Sequence, residues 1–550
     1  MADENDGNLF TPERSQRQGE AERVVLTHRE MPPPMVVDYE DLQPDEDWPD
    51  RRRTDIGARS SRMPAQTKNI LFLAVLIALN LINYMDRFTV ASILIDIQTY
   101  YKIQDSDGGL IVTTFVFCYM IAAPIFGYLG DRYNRKFVVS IGLVLWILAV
   151  FLSSVSGSFR VFLISRAIVG VGEAAYSTVA PTIISDLFSG DQRSRVLMLF
   201  FAALPVGSGL GYIVGASVTY WTGYWQWGLR VTPIIGIIFL IIIVFAFEDP
   251  VRGHADHAHL RKTSYKEDVL SLGRIPTYIY TTLGFTSVVF VTGSLSWWTP
   301  ACAAHAWGMI HGMDKVPPEI KASVAETFGV LSCIGGLIGV VFGSLLARKW
   351  QKGLGPITAN PRADPLVCGF GSLFAVPTMW LALFTVGKWM PLGYLFVFLT
   401  IIMVVLNFAI TTDIILYVTT PNRRATAIAI QTLTAHLLGD ATSPYVIGLL
   451  SDAIRGNVET SAASFQALQY ALYLPNAVLV LGGVFYFLAS NHVEKDREKN
   501  SMLMHDLNPP TILDYYDDDM GAGNRSMGSG TTATTSAPAS GVTPPAFVVP

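Results

Sequence analysis

About a dozen runs of roughly twenty apolar residues, each long enough to cross the hydrocarbon core of a bilayer, follow one another through the sequence. They centre near residues 82, 118, 146, 173, 204, 238, 288, 333, 376, 404, 437 and 479. No other feature limits the fold so tightly. Of the 550 residues, 51% are hydrophobic and 15% charged, against about 25% charged in soluble domains. The expectation is an all-α membrane protein whose twelve transmembrane helices form two pseudo-symmetric six-helix bundles.

Loop charges set the expected orientation. Arg51, Arg52, Arg53, Arg59 and Arg62 precede the first span. The loops after spans 2, 4, 6, 8 and 10 carry Arg132/Arg135/Lys136, Arg193/Arg195, Arg261/Lys262/Lys266, Arg348/Lys349 and Arg423/Arg424. The opposite loops hold scattered cations such as Lys102, Lys315 and Lys388. Positive charge stays on the cytoplasmic side, so both termini are expected there. Residues 1–68 and 493–550 read as disordered cytoplasmic tails, 69–249 and 274–492 as the bundles, and 250–273 as a cytoplasmic linker. No cleavable signal peptide is expected in the polar first segment. Within it, "YEDL" (Tyr39–Leu42) fits a sorting pattern, so an adaptor contact is expected there.

The halves echo one another. "GYLGDR" (127–132) reappears as "GSLLAR" (343–348), and "DQRSRV" (191–196) has a counterpart in "PNRRAT" (421–426). Matches at corresponding places suggest a duplicated transporter architecture.

Charges inside the spans are expensive and must face a cavity or one another. Span 1 carries Asp86 and Arg87 in "NYMDRFTVA"; span 4 carries Arg166, Gly170 and Glu173, whose spacing sets them on one helical face. Gly170 is expected to leave a gap between the two charges. At 1.5 Å per residue, Arg166 lies about 10 Å from the non-cytoplasmic surface and Asp86 roughly 8 to 16 Å from it. An Asp86–Arg166 pair is therefore expected, with Glu173 about 10 Å deeper. Arg87, turned away from Asp86, is expected to reach toward the rim. In span 11, His436 and Asp440 lie one turn apart, a pairing suited to proton handling. The alternative for each set is a structural ion pair or packing element. Asp413 and Asp186 read as loop-locking partners of Arg423/Arg424 and Arg193/Arg195. Pro205, Gly207, Gly209, Gly211 and Gly215 in span 5 permit close helix contact and bending, and read as a hinge. Trp297 and Trp298 are expected to anchor the outer membrane interface.

The sequence shows no GxxxxGK[ST] loop, which leaves ATP-driven pumping unsupported. It has no HExxH or GxSxG cluster in a fitting context, so no enzyme is expected. Dispersed basic residues give no nucleic-acid footprint. Cys118, Cys302, Cys333 and Cys368 are irregularly spaced, so packing thiols are expected and no metal or cofactor.

"GYLGDRYNRK" resembles the loop 2–3 signature of the major facilitator superfamily. That resemblance implies that Asp131 and Arg132 form a conformational latch, with Arg135 and Lys136 its basic cluster. The second half departs from the pattern, having Ala347 in place of the acid. The span-5 glycines resemble the superfamily's conformational-exchange motif. More narrowly, "NYMDRFTVA", "RAIVGVGEAAYSTVAPTIISDLF" (166–188), "NPRADP" (360–365) and "RRATAIAIQTLTAHLLGDATSPYVIGLLSD" (423–452) resemble the spinster family of lipid transporters. The resemblance covers about residues 69 to 492. It implies proton-coupled export of lysophospholipid or sphingolipid, with lipid and protons as partners and the chain acting as a monomer. A lysosomal or late endosomal membrane would suit it. A plasma-membrane sphingosine 1-phosphate exporter, a sugar or organic-anion carrier, and a non-transporting scaffold or sensor remain alternatives.

Overall fold

The computed structural model describes residues 65–188, 190–246, 265–353, 358–420 and 423–507. Tyr39–Leu42 and the side chains of Asp131, Asp186 and Arg193 lie outside the described residues. The first half runs through α1 (Ala65–Ser92), its short continuation α2 (Leu94–Tyr101), α3 (Asp105–Arg132), α4 (Arg135–Val155), α5 (Phe159–Leu187), α6 (Gly190–Thr222) and α7 (Trp225–Ala246). Helix α8 (Tyr265–Leu272) lies in the linker. The second half comprises α9 (Pro276–Ile310), α10 (Pro318–Lys352), α11 (Ala363–Val386), α12 (Met390–Val405), α13 (Asn407–Val418), α14 (Arg424–Ala435), α15 (Ser443–Arg455), α16 (Ser461–Ala471) and α17 (Tyr473–Leu507).

Among the described residues, 11 helices are long and apolar enough to cross a membrane. The remaining apolar run, near residue 437, is not one regular helix. Between α14 and α15 it widens into a π-turn over His436–Asp440, a local defect that often marks functional sites.

Within the first half α1 packs on α6, and α5 packs on both α3 and α4. Gly207, Gly211 and Gly215 meet Leu81, Met85 and Thr89 at four-residue steps on both helices. A Cβ at Gly207 would stand 2.6 Å from the Leu81 carbonyl oxygen, and one at Gly211 2.5 Å from that of Met85. Asn80 adds a bond from its amide to the Phe200 carbonyl at 2.8 Å. Gly209 faces the other way, where a Cβ would lie 2.7 Å from the Gly329 carbonyl of α10. Helix α6 runs unbroken through Pro205, and its glycines let it lie close against α1 on one face and α10 on the other.

The halves meet where α6 packs on α10 and α3 packs on α15. Along the second seam, Thr113 donates to the Ala441 carbonyl, and Gly109 abuts the Pro444 backbone. Trp297 donates to the Gly108 carbonyl at 3.2 Å and Trp298 to that of Pro444 at 2.9 Å. These indoles are buried. They seal the seam instead of anchoring a lipid interface, because their N–H groups find backbone carbonyls on the facing helices. Further out, the Asp452 carboxylate accepts from the amides of Asp105 (3.0 Å) and Ser106 (2.7 Å). Those amides open α3 and have no intrahelical acceptor. Arg455 lies 3.3 Å from Asp105, and Lys321 lies 2.6 Å from Asp96.

At the other end, Arg423 pairs with Asp268 of α8 at 2.9 Å. Asp413 is thus not its partner; it shares a cavity of about 340 Å³ with Arg348, Asp364, Arg424 and Arg497. The linker helix has brought a nearer carboxylate. Helix α17 continues to Leu507, past the boundary expected at residue 492. Asp496 accepts from the Thr277 amide at 2.9 Å, and Asn500 donates to the Tyr417 carbonyl at 3.0 Å. These bonds cap the ends of α9 and α13 and hold the extension in place. All four cysteines are free thiols.

Candidate functional site

Adjacent residues on a helix point about 100° apart, and α1 uses that divergence to serve two sites. Asp86 turns toward α4, α5 and α7. Its Oδ2 lies 3.6 Å from Nη1 of Arg166, with the two side chains 1% and 3% exposed. Thr232 of α7 donates to Asp86 Oδ1 at 2.7 Å. The Arg166 guanidinium donates from Nε and Nη2 to Ser153 Oγ of α4, at 3.2 and 2.9 Å. The cross-helix pair expected from depth is present, and Ser153 and Thr232 complete its surroundings. Ser153 stands among several serines (Ser154, Ser156, Ser158) and Thr232 in an apolar run, and neither shows at helical spacing which partner it takes.

Arg87 turns toward α3 and α5, where its Nη2 donates to Glu173 Oε1 at 2.8 Å. The guanidinium sits 4.8 Å from the Phe115 ring, 5.4 Å from Tyr84 and 5.7 Å from Tyr119. It does not reach toward the rim. A carboxylate and three aromatic faces hold it inside, at 17% exposure. Gly170 does not open a gap between the charges either. A Cβ there would collide with the Phe115 backbone carbonyl, so the glycine lets α5 lie directly against α3. Asn83 Oδ1, Arg87 Nε and Glu173 Oε2 are buried without a hydrogen-bond partner. Unpartnered polar atoms at such density are unusual away from functional sites.

His436 Nδ1 lies 3.0 and 2.9 Å from the two Asp440 carboxylate oxygens, within the π-turn. The expected pairing is present. A Cβ at Gly293 of α9 would stand 2.6 Å from Asp440 Cα, so α9 packs directly on the turn. Of the latch residues, Arg132 is exposed with its guanidinium 5.2 Å from the Tyr128 ring. Arg135 is buried and Lys136 half-buried in the first turn of α4.

The family model of the Major Facilitator Superfamily matches residues 76–444. Spinster homolog 1 of Xenopus laevis is 42% identical over 454 residues, covering 81% of this chain and 85% of the relative. The human spinster homolog 1 is 44% identical over 441 residues, covering 78% and 82%. The chain belongs to the spinster family of the major facilitator superfamily. It is a multi-pass membrane transporter, not an enzyme. The spinster-family fold is also seen in a solved bacterial homolog of the human lysosomal transporter spinster, inward-facing and unoccupied. That structure has a TM-score of 0.68 and 20% identity, and the match covers 79% of this chain and 99% of the other. A D-xylose–proton symporter shares the general fold at a TM-score of 0.58 and 15% identity, over 76% of this chain and 96% of its own.

Proposed function

We propose that this chain exports a phosphate-bearing amphipathic lipid, a lysophospholipid or a sphingolipid phosphate, from an acidic organelle by proton-coupled alternating access. The observation that carries the reading is the pair of buried ion pairs, Asp86–Arg166 and Arg87–Glu173, between α1 and α5. Buried ion pairs contribute little net stability compared with apolar side chains of equal volume. Four ionisable groups at that depth suit a role in which charge must change. A proton on Asp86 leaves Arg166 without a counter-charge, and a lipid phosphate then becomes its bidentate partner. Arg87 is the less buried guanidinium and meets the headgroup first. His436 and Asp440 form a second proton-handling pair in the facing half.

With both termini cytoplasmic, the Asp105–Arg455 seam closes the luminal side. Asp131, Arg132, Arg135 and Lys136 then latch the cytoplasmic side in the opposite state, and the Pro205–Gly211 segment flexes between them. The bacterial neighbour is described as a homolog of a human lysosomal transporter, which supports a lysosomal or late endosomal membrane. The test is pH-driven lysolipid flux in proteoliposomes. Asp86→Asn and Arg166→Ala should each abolish its pH dependence; full, still pH-dependent flux in either variant rejects the reading.

A further inference from the structure

Helix α9 presents one face to the seam. Trp298 lies on it, bonded to Pro444 of α15. Seven residues on, and so nearly two turns further along the same face, comes His305. Pro444 and Arg455 are likewise eleven residues apart on one face of α15. His305 therefore lies along the seam between the indole seal and the Arg455–Asp105 contact. Its Nδ1 is buried and has no hydrogen-bond partner.

The charges around it are specific. The elements packed against this end of α9 carry Glu319, Lys321 and Glu326 on α10, and Asp452 and Arg455 on α15; α16 brings none. Arg455 and Lys321 are the two whose charges act on His305. Each is also tied to a carboxylate of the first half, Arg455 to Asp105 and Lys321 to Asp96. Glu326 is engaged by Ser217 at 2.6 Å. Asp452 is engaged by the α3 amides and by Arg455.

We propose that His305 is a proton-binding site of the seam, and that its protonation opens the Asp105–Arg455 end. A proton on the imidazole adds a third positive charge beside Arg455 and Lys321, in a buried position that offers Nδ1 no acceptor. Parting the halves hydrates the ring and lets water screen all three cations. The open seam thus binds the proton more tightly than the closed one, and by linkage acid favours opening. A histidine suits this role because it changes charge between about pH 5 and 8. The inference rests on the alternating-access reading, yet its test needs neither substrate nor flux.

The amides of Asp105 and Ser106 are protected by the Asp452 carboxylate of the other half, having no acceptor within α3. Hydrogen exchange across 105–109 of the full chain in nanodiscs therefore reads the seam. Between about pH 7.5 and about pH 5, exchange corrected for intrinsic chemistry should rise about tenfold or more in the wild type. His305→Gln should remove that rise while keeping protection at neutral pH; His305→Asn replaces it if the glutamine variant does not fold. An undiminished acid response in these variants overturns the proposal and assigns the switch to Asp105, Asp96 or Asp452. A wild type whose exchange is indifferent to pH overturns it equally. Normal flux in Asp86→Asn, by contrast, rejects the coupling at Asp86 and leaves this exchange result standing.

Discussion

Replacing Asp86 by Asn tests the Asp86–Arg166 pair quantitatively. The asparagine keeps the volume and can still accept from Thr232, which bonds Oδ1 at 2.7 Å. What it removes is the charge facing Arg166. At the 3.6 Å separation and an effective dielectric of about 20, the attraction is about 5 kcal/mol. Arg166 keeps its two bonds to Ser153 Oγ, but that is a single neutral acceptor for a guanidinium that is 3% exposed. Breaking a buried pair by removing one partner costs about 3–5 kcal/mol, so the single variant should lose about that much unfolding free energy. Arg166→Gln should lose a similar amount. The double variant leaves no orphaned charge and should lose far less than the sum, with a coupling of about 3 kcal/mol or more. Equilibrium unfolding in mixed micelles supplies the cycle. Additivity of the two losses to within about 0.5 kcal/mol would show that the charges do not sense one another, and would refute the geometry.

Two further outcomes follow from the seam and the surface. Gly109→Val should disfavour the closed seam by about 1–3 kcal/mol, because its Cβ would collide with the Pro444 carbonyl; lipid flux should fall while folding of each half persists, and unchanged seam protection by hydrogen exchange would contradict this. Glu494→Gln removes the exposed pair with Arg362, at 2.6 Å and about two-fifths exposed on each side; solvent screens such a pair, so the unfolding midpoint should not move measurably, and a resolved loss would show a hidden role.

The fold was legible because hydropathy at bilayer length leaves few architectures open, and the Asp86–Arg166 pair because rise per residue converts sequence position into depth. Arg87 was misplaced for a definite reason. Two of its three aromatic neighbours come from α3, and nothing in the spacing of Phe115 and Tyr119 distinguishes a ring that faces a guanidinium from one that faces lipid. Trp297 and Trp298 show the same limit: an indole near a helix end fits an interface equally well, and only the facing Gly108 and Pro444 carbonyls decide otherwise. The π-turn was hidden too. "HLLGD" keeps the four-residue spacing of an α-helix, and the close packing of Gly293 on Asp440 comes from a helix far away in the sequence.

How a charge change at the site reaches the seam can be traced through α3. Asp86, Arg166, Ser153 and Thr232 all lie in the first half, so remaking that pair alone need move nothing across the seam. Arg87 is different. Its guanidinium rests on Phe115 and Tyr119 of α3 while bonding Glu173 of α5. Two residues before Phe115, Thr113 bonds the Ala441 carbonyl beside the π-turn, and one turn earlier Gly109 abuts Pro444. Glycine-permitted backbone contacts occur both within the halves and across the seam, as at Gly207 on Leu81 and at Gly109 on Pro444. The outer end of the seam adds hydrogen bonds and ion pairs from Asp452, Arg455 and Lys321, whose groups water can satisfy when the seam parts. A helix anchored to Arg87 along its length, and to the other half by replaceable bonds at its end, is the element through which loss of the Arg87–Glu173 contact would be felt as a loosened seam.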